Sequence, residues 1–276
     1  MYTDDETAAL YDVLNAWGPS DDFYLALVME ATSVLDVGCG TGALLRRARQ
    51  DGHTGRLCGV DPDRAMLGLA RRGADVEWVD GTAASMAWDG EFDLATMTGH
   101  AFQVFIDDDE LRASLAAIRR ALADGGRFAF ETRNPRARAW ESWTPQNGMD
   151  VVDPAGRAVH VSHEVESVAG DVVTLTETTS GPDGTPLRVD RASLRFLDVD
   201  TLAGFLAEAG FEIEGQYGGW SREPFDPASP EIVIIARVSR RPTTTSRGAQ
   251  VLASRYDLGV RAVDVRGGRA VRGDQR

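Results

Sequence analysis

The run Ser33-Val-Leu-Asp-Val-Gly-Cys-Gly-Thr-Gly-Ala-Leu-Leu45 constrains this chain more than any other stretch. An apolar segment encloses Asp36, glycines follow at alternate positions (Gly38, Gly40, Gly42), and a helical pattern begins at once. A buried strand, a tight turn and a helix N-terminus satisfy that order. Glycines let the turn take conformations that a Cβ would forbid, and they leave bare backbone against which a bulky ligand can lie. Gly38-x-Gly40-x-x-Ala43 also fits the dinucleotide pattern with alanine in last place. The loop alone therefore leaves two cofactor classes open.

Apolar runs and helical patterns alternate from residue 34 to residue 130. Strands are expected at 34–37, 56–60, 76–79, 94–97 and 127–131, with helices at 43–50, 65–72 and 109–123. Such alternation builds a parallel sheet with helices on both faces, and ligands then sit outside the carboxyl ends of the strands. A helix at 199–209, stopped by Gly210, and two further strands at 211–215 and 231–238 complete the pattern. The expected fold is α/β, a seven-stranded, mostly parallel, doubly wound sheet in a domain spanning residues 31–239. Within it, at about 151–197, three β-branched alternating segments joined by short turns predict a small antiparallel β insertion. Residues 1–30 read as a helical cap carrying aromatic side chains among acids, either covering a sheet edge or closing over the cofactor. Residues 240–276, with nine arginines against Asp257, Asp264 and Asp274, read as a disordered Arg-rich tail.

The net charge is −14 and every basic side chain is arginine. An acidic surface disfavours nucleic acid, whose binding depends on neutralising phosphates, and favours a small-molecule partner. No apolar run approaches the roughly 20 residues of a membrane span. The N-terminus is acidic and has no apolar signal core, which predicts a cytoplasmic protein. Cys39 and Cys58 are the only cysteines and read as small buried residues. No metal-ligand spacing is present, and oligomeric state is unreadable.

Two more acids follow. Asp61 ends the second strand in Cys58-Gly-Val-Asp-Pro62, and Asp80 ends the third in Val79-Asp-Gly-Thr82. The order Asp36, glycines, Asp61, Asp80 resembles the class I S-adenosylmethionine-dependent methyltransferase family, closely over about residues 33–131. Asp61 is shared with dehydrogenases, whereas Asp80 favours S-adenosylmethionine. The resemblance implies S-adenosyl-L-methionine as cofactor. It implies that Asp36 lies near the methionine amino group, with Gly38, Cys39, Gly40 and Gly42 as the loop, and that Asp61 and Pro62 meet the ribose. Asp80 would receive the adenine amino group while Gly81 and Thr82 face the ring. Met66 packs either on the adenine or in plain core, and so do Met86 and Trp88. Asp63 reads as a helix cap. Thr98 stands at the end of the fourth strand, beside the expected position of the sulfonium.

On the acceptor side, His100 is the only histidine near a parallel strand's carboxyl end and is the candidate base. Gln103, Glu131, Arg133 and Trp140 follow the fourth and fifth strands as candidate acceptor contacts. Tyr11 and Tyr24 from the cap and Trp220 after the sixth strand join them. His160 and His163 fall on opposite faces of one strand and form no pair. The expected reaction is in-line methyl transfer to oxygen or nitrogen of a small molecule. The rivals are a non-catalytic S-adenosylmethionine-binding protein and an NAD(P)-dependent oxidoreductase.

Overall fold

A computed structural model describes residues 2–73 and 75–239. The expected tail at 240–276 lies outside the described residues. Helices α1 (Asp4–Leu14) and α2 (Pro19–Glu30) precede strand β1 (Ser33–Val37). There follow α3 (Ala43–Gln50), β2 (Arg56–Asp61), α4 (Arg64–Ala70), β3 (Glu77–Asp80) and β4 (Phe92–Met97). Helix α5 (Asp108–Ala121) then leads into β5 (Leu122–Arg133).

The central sheet has seven strands in the order β10-β11-β5-β4-β1-β2-β3, where β10 is Phe211–Tyr217 and β11 is Glu231–Val238. Strands β1 to β5 are parallel, whereas β11 runs antiparallel to both β5 and β10. Ile232, Val233, Ile234, Ala236 and Val238 of β11 are fully buried, which explains its unbroken apolar run: both of its faces are covered. One face carries α5 and α6 (Val199–Glu208), packed through Leu111, Leu115, Ile118, Leu202 and Leu206. The other carries α2 and α3, through Phe23, Leu27, Leu44 and Leu45.

Helix starts follow the sequence chemistry. The Thr3 hydroxyl and the Glu6 carboxylate close a capping box on α1. Asp63 caps α4 by accepting from the amides of Ala65 (2.8 Å) and Met66 (3.1 Å).

The insertion is an antiparallel sheet of four strands, not the expected three: β6 (Met149–Val152), β7 (Ala158–Ala169), β8 (Val172–Ser180) and β9 (Pro186–Arg195). The missed strand is a short edge strand whose residues are mostly exposed, so it has no alternation to read. The second sheet is tied to α1. The Tyr2 amide donates to the Leu187 carbonyl (3.1 Å), and Tyr2 and Leu10 pack on Val159 and Val161. Glu6 pairs with Arg157 (2.7 Å) and Asp4 with Arg188 (2.6 Å). Arg195, at the end of β9, ties the same sheet to the core through Asp108 (2.7 Å). No helix among the described residues is long and apolar enough to cross a membrane.

Candidate active site

The turn after β1 is built as its glycines allow. Gly38, Gly40 and Gly42 all have positive φ (72°, 52° and 75°), a region that side chains with a Cβ seldom enter. The amides of Gly38 and Cys39 donate to the Val60 carbonyl at 2.8 and 3.2 Å, which clamps the turn against β2. A Cβ on Gly42 would stand 2.3 Å from the Trp78 indole, whereas one on Gly40 would have nothing within 4 Å. Trp78, on β3, thus supports the loop from one side and leaves it open on the other. Sequence reading passed over Trp78 because an indole in a strand signals core.

Asp36 is 1 % exposed, and its Oδ1 accepts from the Thr96 hydroxyl at 2.8 Å. Burial pushes its pKa up to about 7, with the carboxylates of Asp61 and Glu131 adding to the effect and the Thr96 bond opposing it. The Asp61 carboxylate accepts from the Gly40 amide through Oδ2 and from the Asp63 amide through Oδ1, both at 2.8 Å. Its pKa is also raised, by burial first. Each oxygen keeps a lone pair for a further donor. Asp80 accepts from Arg64 Nε at 2.7 Å. The Gly81 amide donates to the Asp61 carbonyl (3.1 Å), and the Thr82 amide to Ser85 Oγ (2.9 Å).

The buried Asp36 and Asp61 at adjacent strand ends, beside bare backbone and with the exposed Asp80 on the next strand, suit a ligand bearing an ammonium group and vicinal hydroxyls. The residues therefore fit S-adenosylmethionine.

Pro62 is exposed, and Met66 lies half-buried in the first turn of α4. Cys39 is buried, which pushes its thiol well above the usual range, and the Cys58 thiol is pushed up to about 12. Neither is a nucleophile at neutral pH. Met86 belongs to the hydrophobic core, and Trp88 packs edge-on against Phe92 at 5.4 Å, so both are core positions.

The acceptor candidates fall into two groups. Glu131, 1 % exposed at the carboxyl end of β5, accepts from the Tyr24 hydroxyl and, at 2.8 Å, from the His100 amide. His100 itself sits at φ 59°, a strained left-handed conformation that this bond helps hold. Its Nε2 lies 3.0 Å from Glu231 Oε2. Burial raises the pKa of Glu131, His100 and Tyr24 oppose the rise, and the Tyr24 phenol is pushed well above its ordinary range. Trp220 closes on Tyr24 and on Phe23, with ring centres 6.1 Å apart in each case.

Tyr11 reaches this group from α1. It is 37 % exposed as a residue, yet its phenol pKa is raised, by desolvation first and then by Glu131, Asp12, Asp21 and Asp61. The neighbouring Asp12 accepts from the Thr41 hydroxyl of the glycine turn at 2.6 Å. Thr98 is half-buried, and its carbonyl accepts from the Ala101 amide at 3.2 Å.

The second group is a chain of contacts in which Arg133 Nη1 donates to Gln103 Oε1 (2.8 Å) and Gln103 Nε2 donates to the Arg195 carbonyl (3.0 Å). Trp140 stands apart from both groups. It packs edge-to-face on Phe196 at 4.6 Å and lines a cavity of about 270 Å³ with Pro135, Val173 and Thr201. The indole that covers the Arg133 guanidinium, at 5.2 Å, is that of Trp143. His160 and His163 each meet a carboxylate of the second sheet, Asp150 at 2.8 Å and Glu177 at 2.9 Å.

Sequence reading missed Glu231. Its signal was available: a strand running antiparallel brings its first residue to the edge where the parallel strands end.

Residues 34–126 match a methyltransferase-domain family. A cypemycin N-terminal methyltransferase from a Streptomyces species is 26 % identical over 212 residues, covering 75 % of this chain and 83 % of that protein. A S-adenosylmethionine-dependent methyltransferase from Clostridium acetobutylicum superposes with a TM-score of 0.68 at 18 % identity, covering 84 % of this chain and 98 % of the other. The S-adenosylmethionine-bound amino pentose methyltransferase from Micromonospora echinaspora superposes with a TM-score of 0.63 at 22 % identity, covering 83 % and 97 %. The strand order, with its one reversed strand beside β5, agrees with that likeness, and the dinucleotide alternative for the glycine loop falls away. Residues 34–126, which hold the glycine turn and the acids that frame it, match a methyltransferase domain, and the seven-stranded sheet has the class I methyltransferase fold, with S-adenosylmethionine as the cofactor.

Proposed function

We propose that this enzyme methylates an amino nitrogen of a small-molecule acceptor presented between His100 and Glu131. The observation that carries the reading is the hydrogen-bonded cluster Tyr24–Glu131–His100–Glu231 at the carboxyl edge of the sheet. Two glutamates draw an ammonium-bearing acceptor toward this edge. One relative is named for N-terminal methylation and one structural neighbour for an amino pentose, and both names support nitrogen over oxygen.

The bound cofactor supplies an electrophilic methyl carbon and a neutral thioether as leaving group. An amino nitrogen that is to be methylated would have to give up a proton to the protein before or after transfer. Glu231, 3.0 Å from Nε2, fixes the imidazole ring of His100. His100 is thereby the residue equipped to take the proton. Glu131 fixes the loop bearing His100 through the backbone amide. Alignment supplies much of the remaining acceleration, because the donor is already activated.

The test is a methyl-transfer assay with matched pairs of primary amines and alcohols on the same carbon skeletons. Turnover of the amines alone supports the reading, and turnover of the alcohols alone overturns it. Binding of S-adenosylhomocysteine with no turnover of either series would favour a non-catalytic binding protein. On an active amine, His100→Gln is expected to lower kcat by about 10²-fold or more, the scale of a lost general base, with S-adenosylhomocysteine affinity held. Equal losses in both would make His100 a cofactor contact.

A further inference from the structure

We infer that Arg133 is a specificity residue that receives a carboxylate carried by the acceptor. The inference builds on the acceptor edge described above but not on which atom is methylated there.

Arg133 is the last residue of β5, two positions beyond Glu131 and on the same face of the sheet. In the register of the antiparallel pair it lies directly opposite Glu231. Opposite charges facing across two strands ordinarily pair. Here they do not: the Glu231 carboxylate turns to His100 at 3.0 Å. Among the described residues, no carboxylate oxygen comes within 4.0 Å of the Arg133 guanidinium.

The guanidinium is nonetheless held in place. Gln103 Oε1 accepts from Nη1 at 2.8 Å, and Gln103 is itself 0 % exposed and anchored to the Arg195 carbonyl. Trp143 covers it at 5.2 Å. A neutral amide orients a cation without neutralising it, so the charge stays directed at the site. Desolvation holds the Arg133 pKa below the usual arginine value, against the opposing pull of Glu231, Glu131 and Tyr11, the groups that share the pocket with it.

Arg195 shows what a purely structural arginine looks like in this protein. Its side chain is 12 % exposed and is matched by Asp108 and Asp171, each at 2.7 Å. Arg133 is enclosed and oriented as carefully, and lacks the partner. An enclosed cation without a counter-ion is costly, and a fork of donors in fixed orientation is the geometry that accepts a carboxylate through two parallel hydrogen bonds. A phosphate suits the site less well. Glu131 and Glu231 are close by and the protein carries a net charge of −14, so a dianion is repelled more than a monoanion. The indole beside the guanidinium favours an organic skeleton behind the carboxylate.

The test uses the full chain saturated with S-adenosylhomocysteine, titrated with phenylacetate, phenylacetamide and phenyl phosphate and followed by ligand-observed NMR. These probes contain no amine, so their binding is independent of the nitrogen reading. Phenylacetate is expected to bind at least about tenfold more tightly than phenylacetamide, the size of one charge-assisted hydrogen bond. Arg133→Gln should abolish that difference while leaving phenylacetamide and S-adenosylhomocysteine affinities unchanged, which a merely structural role would not do. Arg133→Lys, which keeps the charge and loses the fork, should retain part of the difference and guards against a misfolded glutamine variant. The inference is overturned by no binding of phenylacetate, by equal binding of acid and amide, by an unchanged preference in Arg133→Gln, or by tighter binding of phenyl phosphate than of phenylacetate.

Discussion

Asp36 has two states close in energy at physiological pH. Burial holds its pKa near 7, and the ionised form is the one that attracts the cofactor's ammonium. Affinity for S-adenosylhomocysteine should therefore rise with pH up to about 7 and level off above it; a flat profile between about pH 5.5 and 8.5 would remove Asp36 from ammonium binding. Stability takes the opposite sign. The folded pKa lies above the unfolded value of 3.8, so the contribution is fully present below about pH 4 and is lost as pH rises through 7. Asp36→Asn should consequently be more stable than the parent at pH 8, by on the order of 1–3 kcal/mol in urea unfolding, while binding cofactor far more weakly. Asp61→Ala removes the carboxylate that also locks the Gly40 amide. Its affinity for S-adenosylhomocysteine should fall by about 10²-fold, the scale of two charge-assisted bonds, and unchanged binding would refute the ribose assignment. At this scale the sequence was most legible for acids that end strands, because their positions follow from the strand pattern alone. It was least legible for Glu231 and Asp12, whose relevance depends on which element folds over which.

Among the elements, the glycine turn separates two costs that are usually mixed. Alanine at Gly42 meets the Trp78 ring at 2.3 Å in addition to a φ of 75°, so Gly42→Ala should lose more than about 2 kcal/mol of stability. Alanine at Gly40 meets nothing within 4 Å and bears only the left-handed cost, about 1 kcal/mol. Its added methyl would stand on the open side of the loop, so cofactor affinity should drop much more than stability does. Urea unfolding and calorimetric titration of the two variants distinguish these outcomes; equal stability losses would mean that Trp78 yields. The alternating strands and helices were readable because period and punctuation agree through residue 131. The edge strand β6 was not, since exposure on both faces erases the period that identifies a strand.

Across the whole of residues 2–239, α1 is the element that links the glycine turn to the second sheet. It meets the glycine turn through Asp12 and Thr41, lies beside α4, and is stitched to the second sheet by Tyr2, Asp4 and Glu6. Of the two helices in residues 1–30, α2 packs on a face of the sheet rather than on its edge, and α1 meets the glycine turn through Asp12 and Thr41. Asp12→Ala should release S-adenosylhomocysteine several-fold faster in stopped-flow displacement without a comparable loss of stability. An unchanged release rate would show that α1 stays seated while ligands exchange. The reversed direction of β11 has a consequence of its own for how the molecule comes into being. Glu231 is made one hundred residues after Glu131, yet the two must stand at the same edge. Until β11 pairs with β5, that edge of the sheet is open and the Glu231 carboxylate is not beside the His100 ring. Closing the sheet and bringing the Glu231 carboxylate to the imidazole are then one event.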